Sequence, residues 1–321
     1  MNILQTRGLT VRYGAGARTL TAVDGVDLGI PKGGTLGLVG ESGCGKSTVA
    51  RALVGLAAVA AGQVMLDDTD YSAMAARTSL AYRRRVQMVF QDPYSSLNPR
   101  MSVGELLDEA LTTHGGRSRR KRAAESQRLI ALVGLPANTL GRYPYQFSGG
   151  QRQRIAIGRA LAVGPEVLIL DEVTSALDVS VQATVLNLLQ DLQAELGLSY
   201  LFISHDLSLV RLMSDEVAVM YLGRIVEHAP TEEFFTRPAH PYTAALMKSI
   251  PSLRGGPRAA PLPGDLPDPR KPPAGCRFHT RCPVGPIARP ERTVCVSRDP
   301  RLEPATRPHQ AACHFAELAA V

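Results

Sequence analysis

Between Gly40 and Thr48 the chain reads "GESGCGKST", a stretch whose residue types suit one task, holding a polyphosphate. Gly40, Gly43 and Gly45 let consecutive amides point into one concavity around Ser42, and a helix starting just beyond adds partial positive charge. Lys46 then reaches the β- and γ-phosphates, Ser47 can ligate Mg²⁺, and Thr48 follows it on the helix. Cys44 reads as a small tolerated residue rather than a ligand. A second chemical signal is "VLILDEVTSALD" at 167–178. Asp171 and Glu172 end an apolar run, where the first carboxylate can hold the Mg²⁺ shell and the second can polarise an attacking water. A third is "FSGGQRQR", in which Ser148, Gly149, Gly150 and Gln151 open a helix and create another anion-binding end. One chain thus carries two phosphate cradles and a carboxylate pair suited to hydrolysis.

These residues need a scaffold, and the flanking patterns supply an α/β one. The runs "TLGLVG" (35–40), "VLIL" (167–170) and "YLFIS" (200–204) read as buried parallel strands, each leading to a polar turn and a helix. "LQTRGLTVRYG" and "LTAVDGVDLGI" alternate as antiparallel strands do, with "YGAGAR" between them. Residues about 96–165 lack strand signals and look helical. "EVAVMYLGRIVEHA" reads as a hairpin around Gly223.

Proline marks a boundary, since 14 of the 23 prolines lie in 251–321. We expect three units: a cassette at 1–250, a Pro-rich linker at 251–275 and a tail at 276–321. The tail region is also the more basic part, and the simplest reading of that charge is a solvated surface, as it is for "RSRRKR" at 117–122. The longest apolar stretch, "ALVGLAAVAAG" at 52–62, is too short to span a bilayer. The first residues lack a secretory pattern, so a cytosolic chain with reduced thiols is expected.

Four of the five cysteines fall in the tail: Cys276, Cys282, Cys295 and Cys313. The segment is poor in apolar residues and calls for a staple. Four thiolates would complete a tetrahedral zinc site or an iron–sulfur cluster. With no close C-x₂₋₄-C pair, the spacing favours a 4Fe-4S cluster, whose negative charge Arg277 and Arg281 would offset. No tail cysteine belongs to the nucleotide motifs, so cassette and tail are expected to work separably.

Taken together, the motifs resemble the ATP-binding subunit of ABC transporters over about 1–250. The resemblance implies an ABC-type P-loop NTPase fold, with a RecA-like core, an antiparallel β subdomain and a helical subdomain, followed here by the Cys-containing tail. It implies ATP and Mg²⁺ as cofactors and assigns further residues. Tyr13 would stack on adenine, Gln91 in "VFQDP" would contact Mg²⁺ or water from a mobile loop, Asp178 belongs to the loop "SALD", and His205 in "ISHD" would touch the γ-phosphate. Each ATP would lie between the phosphate loop of one cassette and the "FSGGQ" of a head-to-tail partner, so a second ATPase chain is required.

Longer stretches, "QMVFQDPYSSLNPRM", "YQFSGGQRQRIAIGRAL" and "RPAHPYTAALMKSIP", are similar to the ATPase subunits of bacterial oligopeptide and dipeptide importers, nearer the F-type subunit. Such systems often have a Cys-bearing tail. That similarity implies two transmembrane permease subunits, an extracellular or periplasmic peptide-binding protein, no nucleic acid, and a peripheral position on the cytoplasmic face of the membrane. Val173 departs from the usual "DEP" without touching the catalytic pair. A soluble ABC ATPase of repair or translation lacks its expected coiled-coil insertion or tandem cassette here, and a metal- or redox-sensing ATPase is the other alternative.

Overall fold

The computed structural model describes residues 1–321 apart from 17–18, 74–76, 78, 114–117, 249–263, 303–307 and 317–321. The first part of the Pro-rich linker, the end of "YGAGAR", the start of "RSRRKR" and the end of "RPAHPYTAALMKSIP" lie outside the described residues. The strands are β1 (Asn2–Tyr13), β2 (Leu20–Pro31), β3 (Thr35–Val39), β4 (Ala61–Leu66), β5 (Thr69–Asp70), β6 (Val86–Val89), β7 (Val167–Asp171), β8 (Ser199–Ile203), β9 (Glu216–Tyr221), β10 (Arg224–Pro230) and β11 (Gln310–Ala311). The longer helices are α1 (Lys46–Leu53), α2 (Val103–Thr113), α3 (Arg119–Leu132), α4 (Gly149–Leu161), α5 (Val179–Leu196), α6 (Leu207–Met213) and α7 (Pro241–Lys248).

Two sheets form. The first is antiparallel, in the order β2-β1-β4-β5. The second runs β11-β10-β9-β3-β8-β7-β6, parallel from β9 to β6 and antiparallel at the β9-β10-β11 edge. Side chains of successive strand residues point to opposite faces, so each central strand feeds two cores. Leu168 and Leu170 of β7, with Tyr200 and Phe202 of β8, join helices α2–α6 on one face. Val167, Ile169, Leu201 and Ile203 join α1 and the antiparallel sheet on the other.

The expected strands therefore form, and the hairpin turns at Leu222 and Gly223, both at positive φ. The strands β4, β5, β6 and β11 were not anticipated. β4 begins at the end of the apolar run 52–62, and β6 is a short edge strand whose basic neighbours hid its register. The tail is not a detached unit either. Phe278 and Cys282 are buried in the cassette's own core beside Tyr221 and Tyr242, and β11 extends the main sheet by pairing with β10. The tail borrows apolar surface that it could not build from its own composition.

Candidate functional site

Gly45 caps α1 at φ 113°, and a Cβ there would collide with the carbonyl of Ala22. Gly40, at φ 152°, has the carbonyl of Met220 in the same place. Only glycine fits both, and the loop is thereby forced into a tight curl around the N-terminus of α1. Lys46 is buried, its Nζ donating to the carbonyls of Gly40 at 2.8 Å and Glu41 at 3.1 Å. Ser42 and Gly43 are exposed at the loop's crest. Cys44 is buried, and burial pushes its thiol pKa up.

β7 delivers Asp171 to the same place. The Ser47 hydroxyl donates to Asp171 Oδ1 at 3.1 Å, although these residues are 124 positions apart. Asp171 is 5 % exposed, and burial holds its carboxyl above the ordinary value, with the Ser47 hydrogen bond opposing and the neighbouring Glu172 adding to the shift. A bound cation would favour its charged form. Glu172 leaves the strand with φ +48°, a left-handed conformation unusual outside glycine. Its N–H bonds to the carbonyl of Ile203 at 3.0 Å, which fixes where the side chain emerges. Gln91 Nε2 donates to Glu172 Oε2 at 2.8 Å, and His205 Nδ1 lies 3.7 Å from the same oxygen. Three loops, following β6, β7 and β8, thus converge on one carboxylate.

The other assignments fall at separate places. Ser148 and Gln151 form a reciprocal cap at the start of α4, Ser148 Oγ accepting from Gln151 N and Gln151 Oε1 accepting from Ser148 N at 3.1 Å. Gly149 and Gly150 there face Leu177 and Val181. This second cradle belongs to the helical layer, packed on α2, α3 and α5, whereas α1 packs on β1, β2 and β7. Tyr13 ends β1 partly exposed, Thr48 lies within α1, and Asp178 caps α5 by accepting from Val181 N at 3.1 Å.

The four tail cysteines line one small cavity with Phe278 and Phe315. Burial, with the other thiols adding to it, pushes Cys276 up to about 12, and burial pushes Cys313 up to about 11. Among the described residues no three Cys, His, Asp or Glu side chains stand together as ligands of a single metal ion. The two arginines expected to offset charge on these thiols do something else. Arg277 pairs with Asp24 and donates to the carbonyl of Leu222, and Arg281 pairs with Glu41. Arg292, over the ring of Phe315, is the cation whose charge acts on Cys282, Cys295 and Cys313.

Sequence reading missed Glu41, Asp24 and Tyr242 as members of this site's surroundings. Glu41 occupies an unrestricted position of the loop motif, and no local pattern links it to residues 201 and 240 positions away. The tail nevertheless touches the nucleotide loop directly, because Arg281 donates to the Glu41 carboxylate.

A curled glycine loop on a helix, a carboxylate pair at the adjacent strand end and a separate capped helix together define an ATPase of the ATP-binding cassette class. The family model described as "ABC transporter" matches residues 23–175, and the one described as "Oligopeptide/dipeptide transporter, C-terminal region" matches residues 226–287. Over 301 residues the chain is 48 % identical to the oligopeptide transport ATP-binding protein OppF of Salmonella typhimurium, covering 92 % of this chain and 88 % of that protein. It is 48 % identical to AppF of Bacillus subtilis over 299 residues (92 % and 89 %), and 46 % identical to a putative peptide import ATP-binding protein of Brucella ovis over 313 residues (97 % of both). Among solved structures, the dimeric post-hydrolysis cassette MJ0796 with ADP and Pi matches with a TM-score of 0.64 at 26 % identity, covering 71 % of this chain and 98 % of that one. The chain belongs to the ABC transporter ATP-binding subunits, in the oligopeptide/dipeptide transporter group.

Proposed function

We propose that this chain binds and hydrolyses ATP to power import of peptides through separate membrane subunits. The observation that carries the reading is the meeting of Gln91, Glu172 and His205 beside the Lys46, Ser47 and Asp171 cluster. ATP would lie along the loop with Tyr13 against adenine, and Lys46 would exchange loop carbonyls for phosphate oxygens. Mg²⁺, held by phosphate, Ser47, Asp171 and Gln91, would neutralise charge on the transferred group. Glu172 orients and polarises the attacking water. Gln91 fixes the carboxylate from one side, and His205 can reach the γ-phosphate from the other.

The second cradle serves a different ATP. Ser148, Gly149, Gly150 and Gln151 would close on the nucleotide of a head-to-tail partner, with Asp178 nearby, and a second, different ATPase chain would complete both sites. Closure would be felt by two permease subunits through the loop of Gln91 and the groove lined by Gln87, Phe90, Ser96, Glu109, Ala156 and Arg159. A peptide-binding protein outside the membrane acts only through those subunits. No described helix is long and apolar enough to cross a membrane; the chain would sit peripherally, on the cytoplasmic face, against the permease subunits. The names of the relatives lend no support to a repair, translation or sensing role.

For the tail we propose a 4Fe-4S cluster on Cys276, Cys282, Cys295 and Cys313. Four cysteines on one cavity suit it, and a cluster has a width of its own, so its ligands need not crowd as around a lone zinc. Phe315 N donates to Cys313 Sγ at 3.4 Å, a contact that favours a thiolate ligand. When bound, the cluster would cross-link the tail and supply folding free energy to it.

Purification of the chain from its own membranes tests the function: a second cassette and two permease subunits should accompany it, and a chain recovered alone or with repair factors would contradict the reading. Anaerobic metal analysis tests the tail. About four irons per chain are expected; one zinc, or no metal with an ordered tail, would overturn the cluster.

A further inference from the structure

The nucleotide loop is held from outside by the end of the chain. Glu41 is bonded through all three of its polar groups. Its N–H donates to the hydroxyl of buried Tyr242 at 2.8 Å. Its carbonyl accepts from Lys46 Nζ at 3.1 Å. Its carboxylate accepts two bonds from the Arg281 guanidinium, at 2.8 and 3.1 Å. Arg281 is 6 % exposed, next in sequence to Cys282. A second tie runs in parallel: Arg277 donates to the Leu222 carbonyl, and the next residue, Gly223, donates to the carbonyl of Cys44 inside the loop at 2.8 Å.

The charge arrangement requires an explanation, because a carboxylate in a polyphosphate-binding loop repels its ligand. Like charges a few ångströms apart repel, and a cation paired with one of them offsets that repulsion; Arg281 is the cation placed on Glu41. Its bidentate fork also fixes the Glu41 side chain, while the backbone of the same residue holds Lys46.

We propose that Arg281 is a positioning residue for the nucleotide, acting through Glu41: it neutralises the loop carboxylate and sets ATP affinity from the C-terminal unit. The proposal rests on the ATPase reading above and adds to it a tail residue that tunes nucleotide binding.

The test is equilibrium binding of a fluorescent ATP analogue, with Mg²⁺, to the purified full chain and its variants. Arg281→Gln leaves the carboxylate uncompensated and should weaken binding about tenfold at low salt, less at high salt. Glu41→Gln has the opposite sign, since it removes a negative charge and leaves Arg281 in place; binding should tighten severalfold. The double variant Arg281→Gln/Glu41→Gln should return to within about threefold of wild type, because the charge pair is removed as a unit. A role confined to tail packing would not produce that rescue. Wild-type affinity in Arg281→Gln, or a double variant as weak as the single one, overturns the proposal. Should Arg281→Gln fail to fold, Glu41→Gln decides alone, and unchanged or weaker binding sinks the idea. If the wild-type chain itself binds no ATP, the ATPase reading is what fails.

Discussion

The proposed chemistry concentrates on one side chain, Glu172. Its backbone is left-handed, its N–H is tied to Ile203, and its Oε2 is shared by Gln91 and His205. Replacement by glutamine preserves shape and the phosphate loop but removes the charge proposed to orient water. Glu172→Gln should bind ATP normally and lower turnover by about 10²–10³-fold, the scale on which one preorganised group contributes; steady-state phosphate release by the assembled complex checks this. Most of these residues were legible in the sequence because loop curvature, helix N-terminus and strand-end carboxylates each impose a spacing. Arg281 and Glu41 were not, since their pairing depends on a long-range docking that no local spacing encodes.

At the scale of elements, the tail is fastened not only by its arginine pairs with Asp24 and Glu41 but also by Phe278 in the core, β11 on the sheet edge and His309 on Glu227. Phe278 is 1 % exposed and touches Tyr221, Tyr242 and His240. Phe278→Ala should destabilise by about 3–5 kcal/mol, as buried aromatic truncations do, and denaturant unfolding would measure it. The His309 ring lies 2.8 Å from the buried Glu227 carboxylate, and that hydrogen bond, opposed by burial and aided by Glu233, raises its pKa above the ordinary 6.5. A raised folded pKa means the stabilisation is complete below the ordinary value and is lost as pH rises through the folded one. Proteolysis of the β11 region should therefore be faster at about pH 8.5 than at about pH 6, and His309→Gln should remove the difference. The parallel strands were readable from uninterrupted apolar runs. β6 was not, being four residues at an edge, and the proline-rich composition that marked the tail as separate concealed how a few apolar residues dock it.

For the molecule as a whole, in the proposed head-to-tail pair, the loop and the capped α4 of one chain would each supply half of an ATP site. The isolated chain should be monomeric at low concentration and hydrolyse ATP slowly, and sedimentation with a turnover assay tests both; full activity in a strictly monomeric preparation would contradict the shared site. The central claim is that ATP hydrolysis at Glu172 drives peptide import through other subunits. Its most direct measurement is uptake of a labelled peptide library by proteoliposomes carrying the complete complex, with ATP supplied on the side that this chain faces. We predict ATP-dependent uptake that Glu172→Gln abolishes along with phosphate release. Peptide uptake that persists undiminished in that variant, or ATP turnover by the wild-type complex that never moves a peptide, would contradict the account.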